Sequence, residues 1–181
     1  MEEHPPAASP PALVVMVGPP GTGKSHLVRQ VRSRVPAGTV QSDEIRRSMI
    51  DRPQYTPDEN RRVFRVAHDL TERMLRGGES VIFDATNLRE RNRRELYEIA
   101  ERAGARVLVV HVIAPDSVVA ERLRTRLLGV DPDDRSEAGW DVYLRMKAEF
   151  EEIQRPHLVV DSSREIEPAV DQVVRFIEGR P

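Results

Sequence analysis

Eight consecutive residues, Gly18-Pro-Pro-Gly-Thr-Gly-Lys-Ser25, carry the plainest chemical signal in this chain. They fit the pattern Gly-x4-Gly-Lys-Ser/Thr and stand between an apolar run, Leu13–Val17, and the start of a helical pattern. The glycines permit backbone angles that a Cβ forbids and let amide N–H groups approach oxygen closely. Together with the N-terminus of the following helix, those amides form a concavity suited to phosphate. Lys24 supplies a positive charge at the β- and γ-phosphates, and the Ser25 hydroxyl is a ligand for Mg²⁺. Gly18, Gly21, Thr22, Gly23, Lys24, Ser25 and the adjoining His26 are therefore assigned to a nucleoside triphosphate, ATP or another NTP.

Further candidates stand at the ends of apolar runs. Val81-Ile-Phe-Asp84 ends in a carboxylate, and strand C-termini of a parallel sheet face the ligand crevice. Asp84 is thus placed to hold Mg²⁺ through water; capping a turn is its structural alternative. The next residue is Ala85, not a glutamate that would activate water, which points to transfer onto an acceptor. Thr86 and Asn87 follow and are assigned to that acceptor. Asp43, in Gln41-Ser-Asp-Glu-Ile-Arg-Arg47, is of the type needed to take the proton of an attacking hydroxyl. Ser42 or Asp43 could equally be the N-cap of the helix that follows, and both readings stand. Arg122 and Arg126 lie four apart on one helical face. They fit a lid that closes on the triphosphate, or a solvated basic face paired with Glu121. Arg89, Arg91, Arg93 and Arg94 are expected mostly at the surface, with one or two facing the cleft.

The elements that must hold these residues are legible in outline. Strand-like runs are expected at Leu13–Val17, Thr39–Ser42, Ser80–Asp84, Val107–Ile113 and Leu158–Asp161. Between them lie stripes at helical spacing, among them Val63, Val66, Ala67, Leu70 and Met74, then Val118, Val119, Leu123 and Leu127, and Tyr143, Met146, Phe150 and Ile153. Strands alternating with helices, with little polar alternation along the strands, predict an α/β fold with a parallel sheet covered on both faces. Residues 51–58 and 129–139 read as irregular surface. The aspartates Asp131, Asp133 and Asp134 lack the spacing of a calcium loop. His111 reads as a core histidine and Trp140 as packing.

Bulk properties narrow the classes. Length fits one domain, and 39% hydrophobic with 32% charged residues suits a soluble globule. A net charge of −2 gives no global field to attract nucleic acid. Of the 28 basic residues only Lys24 and Lys147 are lysine, so arginine, which forks onto phosphate, dominates. With no cysteine there are no disulfides, and a cytoplasmic location is the default. No apolar run reaches the length of a membrane span, so no membrane partner is expected. Residues 1–11, acidic and proline-rich, read as a disordered tail ahead of a domain at 12–181.

Taken together, the loop Gly18–Ser25, Ser42-Asp43-Glu44-Ile45-Arg46, Asp84-Ala-Thr-Asn87 and the Arg122-x3-Arg126 pair resemble a P-loop kinase. The chain is similar to the kinase domains of the polynucleotide-kinase family and to related zeta-toxin-like kinases, from about Leu13 to Asp161. The resemblance implies a P-loop NTPase fold with strand order 2-3-1-4-5, helices on both faces and a helical lid at about 116–139. It also implies Asp43 as general base, Arg46 as the contact to the acceptor's phosphate, and Arg122 and Arg126 on the donor phosphates. The implied activity is ATP-dependent transfer of the γ-phosphate to a hydroxyl, with a 5′-hydroxyl DNA or RNA end as the expected acceptor. The alternatives are a kinase for a sugar, nucleoside or antibiotic, and a non-catalytic nucleotide-binding module.

Overall fold

The computed structural model of the chain describes residues 9–127 and 139–180. Most of the expected tail and most of the 129–139 stretch, with its three aspartates and the middle of the expected lid, lie outside those residues. Twelve elements follow one another in the described residues: β1 (Ala12–Val17), α1 (Lys24–Arg32), β2 (Gly38–Gln41), α2 (Ser42–Met49), α3 (Pro57–Arg76), β3 (Val81–Asp84), α4 (Glu90–Arg102), β4 (Arg106–Ile113), α5 (Asp116–Leu127), α6 (Trp140–Ala148), β5 (His157–Asp161) and α7 (Glu167–Glu178). All strand pairings are parallel, in the order β2-β3-β1-β4-β5.

The central position of β1 follows from its composition. Every residue of Ala12–Val17 is buried, as suits a strand with no solvent face. Its side chains alternate between two cores. Ala12, Val14 and Met16 pack with α1 and α7 through Leu27, Val28, Val31, Val170 and Val173. Leu13, Val15 and Val17 pack on the opposite face with Ala67, Leu75, Leu96 and Ile99 from α3 and α4. That sandwich brings the carboxyl ends of β1, β2 and β3 to one edge, where the register sets Gln41 opposite Asp84.

Two stripes differ from their expected course. Val66 on α3 is 40% exposed. Beyond Ala148 the chain leaves the helix although Phe150 and Ile153 keep helical spacing. Phe150 is held instead by a stacked contact with His111 of β4, centroids 4.8 Å apart, and Ile153 enters the core as part of the connection to β5. His111 is half-buried, and burial, with His157 and Arg93 nearby, lowers its pKa. Trp140 packs on Tyr143.

Helix α3 is started by Thr56, whose hydroxyl accepts from the Glu59 N–H at 3.3 Å, with Pro57 in the first turn. The Glu59 carboxylate reaches back to accept the Gln54 N–H at 2.9 Å. Thr56→Ala is expected to lower unfolding stability by about 1 kcal/mol in a urea titration; an unchanged midpoint would show that the cap is dispensable.

Candidate phosphate-binding cleft

The loop from Gly18 to Gly23 owes its shape to its glycines. Gly18, Gly21 and Gly23 have φ of 147°, 82° and 95°, a region costly for any residue with a Cβ. Space is short as well. A Cβ on Gly18 would stand 2.5 Å from the Val112 carbonyl oxygen, and one on Gly21 would stand 2.8 Å from the Val119 side chain of α5. The loop is stitched to itself by Thr22, whose hydroxyl donates to the Pro19 carbonyl at 2.9 Å. Lys24 is buried, and its ammonium also donates to the Pro19 carbonyl at 2.9 Å, so its charge lies folded over the loop.

Beside the loop stands the end of β3. The Ser25 hydroxyl donates to Asp84 at 3.0 Å, and the Gly18 N–H donates to the Thr86 carbonyl at 3.0 Å. Burial raises the pKa of Asp84; Lys24 and the Ser25 hydrogen bond oppose the rise, while Asp43 and Glu44 add to it. Among the described residues no three acidic or histidine side chains cluster as a metal cage. A serine hydroxyl touching a buried carboxylate is nevertheless the oxygen donor set that suits Mg²⁺, which keeps several waters and takes few protein ligands.

A single cleft of about 1890 Å³ runs from this loop outward between α2, α3, α4 and α5. Most of the assigned residues line it: Gly21, Gly23, Lys24, Ser25, His26, Asp43, Arg46, Asp84, Thr86, Arg122 and Arg126. Asp43 is exposed, in the first turn of α2. The N-cap there is Gln41, with no side-chain hydrogen bond to the helix, so neither Ser42 nor Asp43 has the capping role.

Four assignments need correction or refinement. Asn87 does not line the cleft. It is 1% exposed, takes φ of 46°, and donates to the Met16 carbonyl at 2.8 Å, bracing β1 instead of meeting an acceptor. Arg46 is buried in the cleft wall. It donates to Asn60 at 2.6 Å, lies 3.8 Å from Glu59, and is covered by the ring of Tyr55, 4.6 Å from its guanidinium carbon. Arg122 donates to the Gly21 carbonyl at 3.3 Å and to both the hydroxyl and the carbonyl of Ser162, at 2.8 and 2.9 Å. Burial and the neighbouring Arg126 lower its pKa. The residue that pairs with Glu121 is Arg124, at 2.5 Å, so the solvated-face reading holds for Arg124 while Arg122 turns inward. Of the four arginines expected mostly at the surface with one or two facing the cleft, Arg91 and Arg94 are exposed and Arg89 and Arg91 line the cleft, whereas Arg93 has no exposed area and does not line the cleft.

Ser162 was not foreseen. Its hydroxyl donates to the Thr22 carbonyl at 2.5 Å, tying the connection after β5 to the loop. Its position directly after a strand C-terminus was the signal available. Helix α6 is tied to α5: Tyr143 and Lys147 both donate to Asp116 at the start of α5, at 2.7 and 2.6 Å.

A family model described as AAA domain matches residues 13–153. No curated protein matches the chain in sequence. Among solved structures, the chain is similar to the APS kinase CysC of Mycobacterium tuberculosis in complex with AMPPNP and APS, with TM-score 0.71 and 16% identity over 93% of this chain and 98% of that one. A gluconokinase from Sinorhizobium meliloti 1021 gives TM-score 0.67 and 19% identity over 94% and 95%. The Pnkp1/Rnl/Hen1 complex gives TM-score 0.56 and 23% identity over 62% of this chain and 38% of that one. The fold is that of P-loop kinases. No helix of the described residues is long and apolar enough to cross a membrane.

Asp84 supplies a test that needs no activity. An acid whose folded pKa is raised adds stability only while protonated, and that contribution is lost as pH rises through the folded value. Above that folded value an ionised Asp84 is therefore a cost to the fold. Asp84→Asn is expected to remove this cost: its gain in Tm over the ligand-free wild type is largest at high pH, shrinks as pH falls through the raised folded value and has levelled off below the ordinary value of 3.8. The variant is also expected to lose the stabilisation by Mg²⁺ with ATP. A variant with lower Tm that still responds to Mg²⁺ and ATP would contradict the assignment.

Proposed function

The chain belongs to that AAA-domain family, and we propose that it is an ATP-dependent kinase that phosphorylates a hydroxyl of a small polar molecule. The observation that carries this is the presence, in one cleft, of the Lys24–Ser25–Asp84 group and an exposed carboxylate, Asp43, in the first turn of α2 directly after β2, the next strand but one from β1. A module that only binds nucleotide needs no such base.

The residues divide the work. Amides of the Gly18–Gly23 loop and Lys24 hold the phosphates, and Arg122 stands over the same loop to stabilise charge as it develops. Ser25 and Asp84 would hold Mg²⁺, which neutralises phosphate charge when bound. The acceptor oxygen forms the new O–P bond, the bond between the γ-phosphorus and the β,γ-bridging oxygen breaks, and ADP leaves. The acceptor's proton passes to the Asp43 carboxylate. Helix α5, packed on Gly21 through Val119, and α6, bound to α5 through Asp116, limit water at the loop.

Small acceptors are favoured over polynucleotide ends for two reasons. The acceptor side of the cleft mixes Asp69, Glu72 and Glu95 with Arg61, Arg65 and Arg91, whereas a nucleic-acid track is a stripe of one sign. Neighbours that align over nearly their whole length include an APS kinase and a gluconokinase. The 5′-hydroxyl polynucleotide reading keeps one support, the partial likeness to the Pnkp1 complex.

Transfer of label from γ-labelled ATP onto a panel of sugars, sugar acids, nucleosides and nucleotides, beside 5′-hydroxyl oligonucleotides, separates the readings. We expect a labelled small molecule, weak dependence on salt, and a kcat lower by roughly 10²–10⁴-fold in Asp43→Asn with ATP affinity retained. Label confined to oligonucleotides, falling steeply with salt, would reverse the choice of acceptor. Retained kcat in Asp43→Asn would remove the base.

A further inference from the structure

Arg93 has no part in the chemistry above, yet it is the largest side chain with no appreciable exposure. A guanidinium has five N–H donors in a rigid fork, and here each one has a partner. Nε donates to the Glu90 carboxylate at 2.8 Å. Nη1 donates to the carbonyls of Asn87 and Leu88, both at 2.8 Å. Nη2 donates to the carbonyls of Glu151 and Glu152, at 2.7 and 2.9 Å. Two chain segments, 87–88 and 151–152, the second 58 and 59 residues from Arg93, are thus tied to one plane.

Both segments border the cleft. The first continues from Asp84 and Thr86, and the second leaves α6 after Met146 and Glu149, all cleft-lining residues. Three other contacts join them: the Glu151 N–H to the Leu88 carbonyl at 2.9 Å, the Glu90 N–H to the Glu151 carboxylate at 2.7 Å, and Arg89 to Glu149 at 3.0 Å. Asn87, between them, holds a left-handed backbone that a non-glycine residue keeps only when its surroundings over-determine it. Arg93 grips its carbonyl, and β1 grips its side chain through Met16. The preceding residue, Thr86, accepts the Gly18 N–H at the root of the phosphate loop.

We infer that Arg93 is a positioning residue: by holding Asn87 in its strained conformation and fixing 151–152 against 87–88, it sets the placement of Asp84 and Thr86 relative to the phosphate loop and keeps the two cleft walls in register. A buried ion pair contributes little net stability by itself, whereas a five-point fork onto four carbonyls fixes geometry. Lysine has the charge but not the fork, and an apolar residue has neither.

The experiment compares wild type with Arg93→Lys, Arg93→Met and Val173→Ala, all well below their melting temperatures. Val173 lies in the core on the other side of the sheet and controls for lost stability alone. Amide hydrogen exchange, read with and without Mg²⁺ and ATP, is expected to rise at 85–88 and 149–152 together in both Arg93 variants and in neither segment of Val173→Ala. Turnover of Mg²⁺-ATP, onto the acceptor found by the panel or onto water, should fall roughly 10–100-fold, while ATP affinity changes by no more than about threefold. If Arg93→Lys has wild-type exchange in both segments, or if its effects match those of Val173→Ala, Arg93 contributes stability only and the inference fails. The kinetic arm rests on the proposed kinase reading; the exchange arm does not, so a protein without transferase activity would still decide the role of Arg93.

Discussion

Asp84 is the constraint on which the rest of the site turns. A carboxylate at the end of β3 is buried against its preference for water, opposite Ser25 and within the field of Lys24. The fold tolerates it because β1 and β3 are parallel neighbours, which brings the serine after the phosphate loop to the aspartate that ends β3. Everything else near the loop keeps that meeting in place. Gly18 bonds to Thr86, Asn87 to Met16, and Arg93 to Asn87. Burial of a carboxylate at this place is costly to the fold, and the cost fits the proposed role of Asp84 in holding a cation beside phosphates.

The same logic explains the other side of the loop. Gly21 and Gly23 are short of space because α5 and the connection after β5 press on them, through Val119, Arg122 and Ser162. The Gly18–Gly23 loop is therefore gripped from the β3 side by the backbone hydrogen bond from Gly18 to Thr86 and from the other side by Arg122 of α5 and Ser162 after β5. In the proposed reading the donor side thus draws on the ends of several strands, while the acceptor side, α2 to α4, projects from β2 and β3 alone.

How much of this is legible in the amino-acid sequence depends on how local each determinant is. The phosphate loop is readable because each requirement, positive φ, an ammonium and a hydroxyl, is met by a residue type within eight positions. The strands are readable because burial on both faces leaves unbroken apolar runs. Strand order came from resemblance, since periodicity carries no information on adjacency. Burial of Arg93 is not legible because two of its partners lie 58 and 59 residues away, and nothing in Arg89–Arg94 separates the one fully buried guanidinium from its neighbours. Phe150 and Ile153 continue a helical spacing past the helix end because the surface they cover, His111 and the core beyond it, is presented by the sheet. Asn87 looked like a ligand contact because it is polar and follows a strand; its positive φ is invisible in a list of residues.

In the proposed kinase, the Lys24–Ser25–Asp84 group and Asp43 face one another across a transferable phosphate. A crystal structure with Mg²⁺ and a non-hydrolysable ATP analogue tests this most directly. The account predicts the γ-phosphate at Lys24, the cation between Ser25 and Asp84, and the open face of the γ-phosphorus turned toward Asp43. A γ-phosphate directed away from Asp43, or a nucleotide seated elsewhere in the protein, would contradict it.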